Sequence, residues 1–131
     1  ALNYLKNKYS DNLIVEFEGL KSNECVIKLI QNSLAVVTAT KLYEGQPTFL
    51  CEASHLGVPS IYPQTGGIDE FFPKNYELAF KQFDYSDLKS KLKALEDKEN
   101  IKKIGKKNKE FIFTYLSESK VLDRFNMILD E

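Results

Sequence analysis

Long apolar runs are missing from this 131-residue chain, and histidine and arginine occur once each, as His55 and Arg124. No stretch approaches the roughly 20 apolar residues that cross a bilayer, and the first residues carry no signal pattern. The expectation is a soluble, cytoplasmic domain. A net charge of −1 gives no electrostatic footprint for nucleic acid, so no nucleic-acid partner is expected. Cys25 and Cys51 both sit in apolar helical contexts without metal-ligand spacing. They read as small buried core residues of a reducing compartment, and no metal site is expected. His55 reads as a surface residue of its helix rather than as a base.

What is present suffices for one domain over residues 1–131, since 43% of the residues are hydrophobic. Residues 1–9 read as a short helix, residues 13–17 as a first strand ended near Gly19, and residues 23–32 as a helix with Cys25, Val26, Leu29 and Ile30 inward. Residues 34–38 are almost wholly apolar, which marks a strand covered on both faces. Further strands are expected at residues 60–62 and 78–80, and helices at 85–95, 98–116 and 118–129. Strands and helices alternate over short connections, so the class is α/β with a parallel sheet and right-handed crossovers. Ligands of such sheets bind at the carboxyl ends of the strands. The loops at Gly19-Leu20, residues 41–46 and residues 64–67 all fall on that rim.

The densest chemistry lies in residues 42–70, LYEGQPTFLCEASHLGVPSIYPQTGGIDE. Pro47 suits a first helical position, Gly57 the left-handed residue that ends a helix, and Val58-Pro59 blocks continuation. Within that helix Thr48, Glu52 and His55 fall at i, i+4 and i+7, a narrow polar stripe, with Phe49, Leu50, Ala53 and Leu56 toward the other sides. A carboxylate on such a stripe lining a cleft can accept two charge-assisted hydrogen bonds from a diol, each contributing roughly 1.5–3 kcal/mol.

Glu44-x7-Glu52, preceded by Tyr43 and followed by Ala53, then Gly57-Val58-Pro59 and Gly66-Gly67-Ile68-x-Glu70, resembles the donor-binding half of retaining glycosyltransferases with the two-domain glycosyltransferase-B fold. The resemblance extends weakly from about Leu13 to the end of the chain. It implies a Rossmann-like domain that binds a nucleotide-diphosphate sugar, with no other cofactor, for retaining transfer to a glycan or lipid-linked acceptor in surface polysaccharide synthesis. Glu44 then corresponds to the catalytic glutamate facing the donor sugar, beside the positive charge that develops in the transition state. Glu52 corresponds to the glutamate that takes the ribose hydroxyls. Gly45, Gln46, Thr48 and Phe49 line the phosphates, the last two through amides that open the helix. Gly66 and Gly67 allow close approach of the backbone to the ligand, and Leu20 lies near the base.

The chain departs from that family in several places. Gln46-Pro47 stands where Phe-Gly or Leu-Pro is usual, and the proline deletes an amide donor. The strand with Gly-Arg and the following lysine that clamp the diphosphate have no counterpart. The amino-terminal acceptor domain is missing too, so a piece inactive by itself is expected. In the family's strand order, 3-2-1-4-5-6, residues 13–17 align with the third strand and residues 34–38 with the fourth, which leaves two strands missing between them. Two other readings share the fold: a noncatalytic interaction module, and half of a sugar epimerase or hydrolase. Finally, residues 89–109 hold nine lysines against Glu96, Asp97 and Glu99. That excess fits peripheral contact with the inner face of an anionic membrane, but interleaved aromatics are lacking and a solvated helix face is the plainer reading.

Overall fold

The computed structural model describes residues 2–12, 14–41, 47–117 and 127. Three parallel strands form the sheet in the order β1 (Val36–Val37), β2 (Ser60–Pro63), β3 (Ala79–Phe80). Val36 aligns with Ser60 and Tyr62 with Ala79. Around the sheet stand α2 (Asn23–Gln31), α3 (Thr48–His55), α4 (Tyr85–Lys93) and α5 (Lys98–Tyr115), with a 3-10 helix at Ile68–Phe71, while α1 (Leu2–Tyr9) is exposed along nearly all its described residues. The parallel α/β class is therefore the one expected, and each described helix lies within about two residues of its expected bounds. The expected helix at 118–129 lies, apart from Met127, outside the described residues.

All four residues of β2 are buried, so it is the central strand. Alternation along it divides the core. Tyr62 joins Ile30, Val36, Leu50, Ala53, Val58, Ile68, Phe72 and Ala79 on one face, beneath α2, α3 and the 3-10 helix. Ile61 joins Leu78, Phe80, Ile101 and Ile104 on the other, beneath α5.

Local chemistry fixes the helix ends. Ser22, Asp84 and Asp97 cap α2, α4 and α5 by accepting from the N–H groups of Cys25, Asp87 and Asn100. At the end of α3 the Gly57 N–H donates to the Ser54 carbonyl (3.0 Å) and the Val58 N–H to the Ala53 carbonyl (2.9 Å). Gly57 has φ +72°, so this is a Schellman ending with glycine where only glycine is unstrained.

Three expectations fail. Residues 14–17 form no strand. Asn12 Oδ1 instead accepts from the N–H groups of Ile14 (2.7 Å) and Val15 (3.1 Å), a local turn that competes with ladder pairing. The strand at 34–38 is not covered on both faces, because Val37 is 41% exposed at the edge of the sheet. Cys25 is exposed rather than buried. In α2 it is Val26, Ile27 and Ile30 that turn inward, while Cys25 and Leu29 rotate to the open side.

Candidate functional site

The two ends of the sheet differ in how they are covered. At the amino ends of the strands α5 crosses close beneath the segment leading into β2. A Cβ added at Gly105 would collide with the backbone carbonyl of Gly57 and lie 3.2 Å from Pro59 Cδ. Three residues on, the Asn108 side-chain amide donates to the Tyr76 hydroxyl (3.2 Å). The Tyr76 hydroxyl in turn donates to the Ser60 carbonyl (2.6 Å) and accepts from the Ser60 N–H (3.1 Å). That edge is closed.

The carboxyl ends carry the loops that follow β1, β2 and β3. Gln82 Nε2, beyond β3, donates to the Thr40 carbonyl beyond β1 (3.4 Å), which ties the two outer loops across the end of β2. Beyond β2, the Gln64 N–H extends the ladder by donating to the Phe80 carbonyl (2.8 Å). The chain then turns at Gly66 (φ +58°), and Gly67 opens the 3-10 helix. On that helix Asp69 accepts from the buried Tyr62 hydroxyl (2.8 Å). Burial, with the hydrogen bond to Asp69 second, pushes the Tyr62 phenol far above its ordinary value, so it keeps the proton it donates to Asp69.

α3 descends from this rim, since it follows the β1 loop and ends beside the start of β2. Pro47 precedes it and makes no side-chain cap, so among the described residues no cap is seen on the amides of its first turn. Thr48 is exposed, Phe49 is 41% exposed and Glu52 is half-buried. The polar stripe thus exists, but Phe49 stands out from the rim rather than packing beneath it. Cys51, on the buried side, has its thiol raised to about 11 by burial and then by the Glu52 charge, which makes it a core residue and no nucleophile.

The other expected site residues divide into three groups. Gly66 and Gly67 stand on the loop at the end of β2, with Gly66 exposed. Leu20 is fully exposed (103%) on the loop before α2. Glu44, Gly45 and Gln46 lie outside the described residues. A cleft of about 280 Å³ lined by Gln64, Asp69, Pro73, Lys74, Asn75 and Tyr76 begins on the Gln64 loop, and one of about 270 Å³ lies between the Glu18–Lys21 segment and α2. Neither is lined by Glu52. Among the described residues no cluster of three His, Cys, Asp or Glu side chains could hold a metal ion, and no helix is long and apolar enough to cross a membrane.

Two rim residues escaped the sequence reading: Gln82 and its neighbour Phe83, which is 62% exposed with φ +67°. A bulky side chain rarely adopts that backbone. The carboxyl-end rule applied to the last strand, as it was to the earlier ones, points to both.

No protein-family model matches the chain, and no curated protein matches it in sequence. Among solved structures the chain is similar to sucrose-phosphate synthase from Thermosynechococcus elongatus, with a TM-score of 0.79 at 20% identity over 98% of this chain. It spans 33% of that structure's chain. At this identity the likeness shows the fold, an α/β domain of the glycosyltransferase-B type.

Proposed function

We propose that the chain binds the nucleoside-diphosphate part of a sugar donor at the carboxyl rim and forms the donor half of a retaining glycosyltransferase. The observation that carries this reading is the placement of α3, whose amino end, not capped by Pro47, opens at the rim with half-buried Glu52 one turn below. The first-turn amides and the helix dipole attract the diphosphate. Glu52 accepts the two ribose hydroxyls. Thr48, Phe49, Gly66 and Gly67 border the phosphates, and Leu20 packs near the base. Gly45 and Gln46 join the phosphate border, and Glu44 faces the sugar. An acceptor domain supplied by the rest of the enzyme completes the cleft, and the product is a surface glycan. The likeness to a sucrose-phosphate synthase supports the transferase class, and the Glu-x7-Glu pattern supports the residue roles.

Titration calorimetry of a nucleoside diphosphate against the wild type and Glu52→Ala tests this. Loss of two charge-assisted bonds is expected to weaken binding about tenfold or more. Equal affinity of the two proteins, or equal binding of a nucleotide lacking both ribose hydroxyls, would remove the ribose assignment.

A further inference from the structure

The lysines of α5 make a surface that the donor rim does not use. Lys98, Lys102, Lys103, Lys106, Lys107 and Lys109 are all exposed, and among the described residues none of them forms an ion pair. The pairs present, Lys21 with Glu18, Lys28 with Glu24 and Lys91 with Asp87, lie elsewhere. Glu99 and Glu110 are the acids of the helix. A chain with net charge −1 thus gathers six unpaired cations on one helix. That costs self-repulsion unless a countercharge meets them.

The structure adds what the composition did not show. Phe113 continues the stripe of Lys102, Lys106 and Lys109, at i+11 after i, i+4 and i+7. Its ring is 56% exposed, touched edge-on by His55 at 5.1 Å between ring centroids. Leu116, capping the helix one turn beyond, is exposed as well. The inward side of α5, by contrast, is filled by Ile101, Ile104, Gly105, Asn108 and Ile112. The helix is therefore amphipathic twice over: its inner side is anchored in the core, and its outer side presents lysines that end in an apolar tip.

We propose that this outer face of α5 docks on an anionic lipid surface, with the lysine ammoniums among the headgroups and Phe113 and Leu116 reaching the acyl boundary. Charge complementarity selects an anionic partner. The kind of partner follows from the side chains. Every cation on the face is a lysine, a hydrated point charge suited to a diffuse anionic plane and lacking the planar fork that grips a phosphate or a base edge. An aromatic and a leucine at the end of such a stripe gain from a bilayer interface. The inference is independent of the donor site, since α5 crosses at the amino ends of the strands and the proposed face bears none of the donor-site residues.

Flotation of the full protein with vesicles of pure phosphatidylcholine, or of phosphatidylcholine with phosphatidylserine, tests the proposal. Binding is expected only to the anionic vesicles and is expected to be lost in high salt, where screening shortens to a few ångströms. The triple variant Lys102→Glu, Lys106→Glu, Lys109→Glu is expected to lower partitioning about tenfold or more. The triple Lys→Arg variant should retain it, and Phe113→Ala should lower it a few-fold. The lysines are exposed, and unchanged thermal melts are expected of the Glu and Arg variants, whereas Phe113→Ala gives up the His55 ring contact and is compared at a temperature well below its own melt. Equal binding to neutral vesicles, salt-insensitive binding, or undiminished binding by the Glu variant would overturn the proposal. So would retention on RNA without any vesicle binding, which would give the face to nucleic acid.

Discussion

Tyr76 joins three parts of the molecule through one hydroxyl. β3 begins too late to pair with the first residue of β2, and the Tyr76 hydroxyl stands in for the absent backbone partner by bonding both the N–H and the carbonyl of Ser60. The same oxygen accepts from Asn108 of α5. Tyr76→Phe leaves three buried polar groups short of a partner. At roughly 1–3 kcal/mol for an orphaned group, a loss on the order of 3 kcal/mol is expected in urea unfolding. A Phe variant with the wild-type midpoint would mean that these bonds add nothing to stability. The pH dependence has a definite sign. Burial raises the Tyr76 phenol from 10.0 to about 12, so the folded state holds the proton more tightly than the unfolded one. That contribution is fully present below pH 10.0 and fades as the pH climbs to about 12. The wild type is expected to lose stability across that window more steeply than Tyr76→Phe. The sequence places Tyr76 only as one more core aromatic. Its partners lie 16 and 32 residues away, and no local pattern announces them.

At the level of elements, the contact between α5 and the end of α3 depends on two glycines with different tasks. Gly57 supplies the left-handed turn, and Gly105 supplies the missing side chain that lets the helix reach the Gly57 carbonyl. Alanine is the better helix former by about 1 kcal/mol, so Gly105→Ala sets helix propensity against collision. Collision should win, because the obstructing atoms are backbone and cannot rotate away. A net loss of about 1–3 kcal/mol in unfolding free energy is expected. A variant as stable as the wild type would show that α5 can slide outward at no cost. Helices were legible because their signals are local: the 3.6-residue stripe, proline before Thr48, glycine after Leu56. The strand at 13–17 was misread for the complementary reason. Its apolar run fits a strand, but a strand exists only against a neighbour, and here Asn12 turns the backbone away. Cys25 failed similarly, since the stripe along α2 could be centred on either of two overlapping sets and only packing chose between them.

For the whole molecule, the order of α/β units made the carboxyl rim predictable, and the structure adds that α5 closes the opposite edge. The bounds of α3 could be read from Pro47, Gly57 and the periodicity between them. The Gln82 and Thr40 tie could not, because it joins loops 42 residues apart. The chain spans only a third of the structure it resembles, and the proposed transfer is to be tested in the intact protein. The proposed division of labour between the two glutamates can be separated there. If Glu52 holds the ribose and Glu44 faces the sugar, their losses differ in kind. Nucleotide binding should survive Glu44→Gln, because the ribose and the diphosphate have their own partners. Turnover should not, since the amide keeps the shape but lacks the charge that opposes the developing cation. In the intact enzyme Glu44→Gln is therefore expected to lower kcat on the order of a hundredfold while nucleotide Kd changes less than about threefold. Glu52→Ala should weaken Kd most. Parallel losses of kcat and Kd in the Glu44 variant would make that residue part of the binding surface or the fold, and the charge opposing the transition state would have to come from another group at the rim.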